Sequence, residues 1–290
     1  MGFAPLLAFL YLTIVGQNLC ETAFSPTFQQ FLTKNYGQSV KSTLSRADLG
    51  LAGSFGGGTG KSTGRKPIVI VHGITMMAAG MLPLKAYFQT KGYAEEDLYA
   101  TSYGPTGRPV SGFDGGTLKC SYAKAIRQLI QAVSAYRKSP VDLITYSMGV
   151  VISRKAVLGG DCVDTGEDLG ASLTNTINTF IGIAGPNHGA VVCSGFASFD
   201  PAGSCNRKNG MACNSAFIND INSRQRYEGK KIYVIQSVPD MIVGNYVCTG
   251  SKLTTEIDGA DKSYTSYGMS HTTVWILTAS RQYQLISSNA

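Results

Sequence analysis

Three residues whose types can act together in acyl transfer occur in the order serine, aspartate, histidine. Ser147 lies in Thr145-Tyr146-Ser147-Met148-Gly149, between an apolar run over residues 141–146 and a helix-forming run over residues 148–158. A serine hydroxyl is a weak nucleophile until a base takes its proton, and a sharp strand-to-helix turn exposes its Oγ. Gly149 supplies the small residue that such a turn needs, whereas Thr145 stands where the G-x-S-x-G pattern has its first glycine. A helix-capping serine is the structural alternative.

Only two histidines follow Ser147. His271, in Tyr267-Gly268-Met269-Ser270-His271, is the expected base; a capping or surface histidine is its bland alternative. His188, in Gly185-Pro186-Asn187-His188-Gly189, directly follows a strand but precedes the best acid, against the order nucleophile, acid, histidine. That acid is Asp240, at the end of the strand-like run over residues 232–240, with Asp258 and Asp261 as rivals nearer His271. His72-Gly73-Ile74 ends another strand and reads as an oxyanion-binding turn, with the backbone N–H groups of Ile74 and Met148 as donors. His72 itself precedes the serine and is expected to orient the loop.

Two other chemistries fail on context. Gly56-Gly57-Gly58-Thr59-Gly60-Lys61-Ser62-Thr63 looks like a phosphate-binding loop, but Phe55 replaces the required first glycine and the segment precedes a strand. A flexible connector is the expectation. A zinc site is disfavoured because no C-x-x-C pair occurs and the chain has 3 histidines. Neither a zinc ion nor a nucleotide is therefore expected.

The elements that position these residues follow an α/β rhythm. Strands are expected over residues 67–73, 98–103, 141–146, 177–184 and 232–236, with helices over 119–137 and 148–158. The strand over 67–73 is apolar on both pleat faces, as a buried parallel strand is. Residues 186–231 break the rhythm as a Cys-containing insertion after the strand ending near Ala184. The fold expected is an α/β-hydrolase fold, a mostly parallel sheet flanked by helices, in one domain over residues 21–290. Met76, Met77, Met81 and Leu82 are candidates for an acyl pocket, with core packing as the competing role.

The leading residues read as a signal peptide over 1–20, because residues 1–17 carry no charge and hold an apolar stretch shorter than the ~20 residues of a spanning helix. Setting aside Cys20 leaves Cys120, Cys162, Cys193, Cys205, Cys213 and Cys248, an even set that suggests three disulfides in an exported chain. Cys205 with Cys213 is the one pair expected on proximity. The formal charge of +7 is mostly scattered; its densest group is Arg224, Arg226, Lys230 and Lys231. No aromatic-interleaved basic stripe suggests nucleic acid, and no N-x-[ST] sequon occurs.

The chain resembles the class 2 lipases, especially secreted nematode-type members. The resemblance rests on Ile70-Val71-His72-Gly73-Ile74, Tyr146-Ser147-Met148-Gly149, Pro239-Asp240-Met241-Ile242-Val243 and Gly268-Met269-Ser270-His271, with residues 160–170 and 222–229 in support. It implies a secreted, cofactor-free hydrolase acting on carboxylic esters of lipids at a lipid–water interface. A thioesterase or acyltransferase would use the same residues. The alternative from another class is a secreted hydrolase-fold module that binds lipid or protein without catalysis, since fold does not imply activity.

Overall fold

The computed structural model describes residues 23–104, 116–194, 203–248 and 250–288. The expected signal peptide over 1–20 lies outside them. In chain order the elements begin α1 (Pro26–Ser45), β1 (Ser54–Phe55), β2 (Ile68–Val71), α2 (Leu82–Thr90), β3 (Leu98–Thr101), α3 (Cys120–Arg137) and β4 (Val141–Tyr146). They continue α4 (Met148–Leu158), β5 (Ile177–Ile183), α5 (Ala216–Ile221), β6 (Lys231–Ser237), β7 (Lys262–Ser266), α6 (His271–Leu277) and α7 (Ala279–Ser287).

Alternation along the strands divides their apolar side chains between two cores. Val69 and Val71 of β2 enter one core and Ile68 and Ile70 the other, and β4 splits Leu143 from Ile144 in the same way. A sheet apolar on both faces must be covered on both. Side chains of α1, α3 and α4 cover the first face; those of α2, α6 and α7 cover the second. The seven strands lie in the order β1-β3-β2-β4-β5-β6-β7, all parallel except β1, which runs antiparallel to β3. This is the α/β-hydrolase architecture expected, with β4, the strand that leads into Ser147, at the middle of the sheet.

The segment over residues 186–231 is the crossover between neighbouring parallel strands β5 and β6, and it carries α5. A buried cation ties it down. Arg154 of α4 donates to Glu228 Oε1 at 2.9 Å, to Asn187 Oδ1 at 3.2 Å, to Asn222 Oδ1 at 2.9 Å and to the carbonyl of Ile221 at 2.8 Å. Every arm of the guanidinium is thus matched, which a buried charge requires.

Among the described residues three disulfides form, Cys120–Cys162, Cys193–Cys205 and Cys213–Cys248. The expected Cys205–Cys213 pair is wrong. Residues between them fold back on themselves through Met211 N–H to the carbonyl of Ser204, at 2.6 Å, and Asn206 Oδ1, which accepts from Lys208 and Asn209 N–H at 2.8 Å each. Local hydrogen bonds close that loop, and the two cysteines reach outward to neighbouring loops.

The glycine-rich loop over residues 56–63 is packed against the sheet's edge by carboxylates. Glu96 Oε1 accepts from the Thr59 N–H at 3.0 Å and its hydroxyl at 2.8 Å, and Asp97 Oδ1 accepts from the Thr63 hydroxyl at 2.5 Å. A phosphate would meet like charge there. Among the described residues no helix is long and apolar enough to cross a membrane.

Candidate active site

Ser147 occupies a one-residue turn between β4 and α4. Its φ of 54° and ψ of −128° are costly for a residue with a side chain, so the surrounding structure must hold it there. The Ser147 N–H donates to Ile183 O on β5 at 2.8 Å, and its carbonyl accepts from Val150 N–H at 2.9 Å. Gly149 allows the helix to approach β2: a Cβ built there would lie 2.4 Å from the carbonyl oxygen of His72. Thr145, in place of the first motif glycine, is buried and satisfied by a 2.9 Å hydrogen bond to Ile181 O.

The Ser147 Oγ lies 2.9 Å from His271 Nε2, and His271 Nδ1 lies 2.7 Å from Asp240 Oδ2. All three residues are buried. The hydrogen-bond chain is consistent with one tautomer, in which Nδ1–H donates to the carboxylate and Nε2 accepts from the serine. His271 is the first residue of α6, and the preceding Met269 carbonyl accepts from the hydroxyl of Ser237 at the end of β6. Asp240 Oδ1 accepts from the N–H groups of Ile242 and Val243, each at 2.9 Å. Burial pushes the Asp240 carboxyl upward, but the His271 hydrogen bond and charge, with those two N–H donors, outweigh it and hold it below the ordinary value.

Sequence reasoning missed Tyr146. Its hydroxyl donates to the carbonyl oxygen of His271 at 2.9 Å, and its ring is where a Cβ on Gly73 would collide, at 3.0 Å. It therefore joins the serine turn, the His72-Gly73 turn and the start of α6. Only its place directly before Ser147 hinted at this. The backbone donors of Ile242 and Val243 carry no side-chain signature at all.

The N–H groups of Ile74 and Met148 make no hydrogen bond among the described residues; Met148 opens α4, where the first N–H groups lack intrahelical acceptors. His72 is buried in a separate arrangement. Its Nδ1–H donates to the carbonyl of Gly73 at 2.7 Å and its Nε2 accepts from Tyr103 N–H at 3.2 Å, with the rings stacked at 4.4 Å. Burial lowers its pKa from 6.5 to about 4, because a second proton would face the Tyr103 N–H without an acceptor.

The rival acids are engaged elsewhere. Asp258 pairs with Lys252 at 2.5 Å, and Asp261 with Arg226 at 3.2 Å. His188 joins a different loop through its N–H to Thr254 O, 3.0 Å away. Of the proposed acyl-pocket residues, Met81 lies in the second core, with Met76 and Leu82 packed partly buried against it. Cys120, Cys162 and Asp164 come within ligand distance of one another, but the two sulfurs are already bonded in a disulfide.

The family model described as Lipase (class 2) matches residues 65–284. No curated protein matches the chain by sequence. Similar solved structures include the mature Bacillus licheniformis lipase BlEst2, with 14% identity over 78% of this chain and 93% of that one, at a TM-score of 0.54. A Paleococcus ferrophilus monoacylglycerol lipase matches with 10% identity over 82% and 98% of the two chains, TM-score 0.51. Aspergillus fumigatus lipase B matches with 16% identity over 78% of this chain, TM-score 0.50, and the match spans about half (53%) of that protein's length. At such identities these likenesses show the fold.

Proposed function

Since the chain belongs to the class 2 lipase family, we propose that it is a secreted serine hydrolase cleaving carboxylic esters of lipids, with Ser147, His271 and Asp240 as its triad. The observation that carries this reading is the continuous hydrogen-bond chain from Ser147 Oγ through His271 to Asp240, set on a strained strand-to-helix turn. Secretion is supported by three disulfides, which persist in oxidising compartments.

In the first half-reaction His271 Nε2 removes the Ser147 proton as Oγ attacks the ester carbonyl carbon. Asp240 holds the imidazole in place and stabilises its charged form. The negative charge arriving on the carbonyl oxygen is met by the Ile74 and Met148 N–H groups. Collapse breaks the bond to the alkoxy oxygen, which leaves as the alcohol after taking the proton from His271. Water, deprotonated by the same histidine, then attacks the acyl-serine and releases the carboxylic acid, returning the proton to Ser147. No metal or organic cofactor enters these steps.

The test compares wild type with Ser147→Ala on short- and long-chain p-nitrophenyl esters, together with labelling by a fluorophosphonate probe. The expected loss is at least about 1,000-fold in rate, with labelling abolished. A folded wild type that neither hydrolyses the esters nor takes up the probe would overturn the proposal.

A further inference from the structure

A groove lies beside the edge of the sheet. Among the described residues no strand pairs beyond β7, and the helices α6 and α7 pack their buried side chains with Ile235 of β6, leaving a gap next to β7. The gap holds about 340 Å³, within the roughly 300–1,000 Å³ of small-molecule pockets. None of Ser147, Asp240 and His271 lines it. Its lining includes buried Ile235, its register partner Tyr264 on β7, Met269, Leu277, and Arg281 and Gln284, which lie three residues apart on α7. Polarity varies along the groove. Lys262 opens β7, Tyr264 lies mid-strand, and Met269 lies beyond its other end.

The charge of the groove has one sign. Arg281 Cζ lies 4.9 Å from the centroid of the Tyr264 ring, and Lys262 Nζ lies 5.1 Å from the same ring. Residues 262–290 contain no aspartate or glutamate. Among the described residues neither cation forms a salt bridge. The acid next in sequence, Asp261, is occupied, accepting from Arg226 at 3.2 Å and from the Ile232 N–H at 2.8 Å. Two cations gathered around one ring without a carboxylate leave a positive field over the groove. A guanidinium placed on an aromatic ring still offers its N–H fork to a planar anion, and a carboxylate matches that fork bidentately. Ile235, Met269 and Leu277 restrict the choice further, to an anion that carries hydrocarbon.

We propose that this groove is a second ligand site, which binds a fatty acid with its carboxylate on Arg281 and its chain running past Tyr264 toward Met269 and Leu277. The choice of a fatty acid among anionic amphiphiles rests on the proposed ester hydrolysis, which releases one. Lys262 adds to the field that draws the anion in. The chain abuts the segment that leads into His271, where the Met269 carbonyl accepts from the Ser237 hydroxyl.

The test titrates the protein, labelled at its methionine methyl groups, with decanoate below its micelle-forming concentration. The nuclear magnetic resonance signal of Met269, assigned by Met269→Leu, reads the groove directly. Decanoate should move that signal to saturation. Arg281→Gln should weaken binding at least about tenfold and Lys262→Gln by a smaller factor. Arg224→Gln, which removes an equal charge elsewhere on the surface, should leave it unchanged. Thermal melts check that each variant is folded, and decan-1-ol, which lacks the charge, should bind at least about tenfold more weakly than decanoate. An unmoved Met269 signal, equal affinity for decan-1-ol, or an Arg281→Gln protein that binds as the parent does overturns the inference. Tighter binding of decyl phosphate than of decanoate overturns the choice of a carboxylate. Decanoate is not an ester, so binding is read whether or not the protein hydrolyses esters, and failure of hydrolysis would sink the proposed function separately.

Discussion

The hydroxyl of Tyr146 donates a 2.9 Å hydrogen bond to the backbone carbonyl of His271, so the residue before Ser147 holds the helix that begins with His271. Removing that hydroxyl leaves a buried carbonyl without its donor and frees the start of α6. Tyr146→Phe should cost about 1 kcal/mol in stability and lower kcat up to about tenfold, with KM nearly unchanged. Steady-state kinetics on a water-soluble ester decide it: an unchanged kcat would remove Tyr146 from any positioning role.

His72 should make stability depend on pH. Its folded pKa of about 4 lies below the 6.5 of the unfolded chain, so between those values the unfolded state binds a proton that the folded state refuses. Stability is therefore full above pH 6.5 and falls as the pH drops toward 4, by roughly 3 kcal/mol at 1.36 kcal/mol per unit. His72→Asn should be less stable at neutral pH, having lost ring contacts, yet show a shallower decline on acidification. Denaturant melts from pH 7 to 4 give both slopes, and parallel slopes would refute the assignment.

The strained turn at Ser147 predicts a trade between stability and activity. Glycine adopts a positive φ without the clash that serine suffers, although it adds freedom to the unfolded chain. Ser147→Gly should be inactive but more stable than wild type by up to about 1 kcal/mol. A lower midpoint in urea would show that the turn stores no recoverable strain.

Much of the fold was legible because β2 is a continuous apolar run and β4, β5 and β6 are short, mostly apolar runs, as strands covered on both faces are. Ser147, Asp240 and His271 stood out because chain order restricts the search to a few residues, and these three come together. The helix α1 escaped notice, since Gly37, at φ 87°, interrupts its pattern. So did β7, Lys-Ser-Tyr-Thr-Ser, a polar edge strand with no apolar run to betray it. Disulfide partners depend on how loops cross in space, which explains why nearness in sequence misjudged Cys205 and Cys213. The donors that hold Asp240 are backbone groups, alike in every residue but proline.

That edge strand decides the order in which the molecule comes apart. Among the described residues β7 pairs with β6 alone, most of its side chains face water, and a short loop joins it to His271. Segments with few buried contacts open at a lower free energy than the core, in local events that leave the rest intact. Warming should therefore release His271 while the central strands still hold the serine turn, and esterase activity should fall several degrees before far-ultraviolet circular dichroism changes. Coincident losses would mean that β7 opens only with the whole domain. In the stepwise order Ser147 is the last of the three to leave its place, on the strand that the rest of the sheet protects.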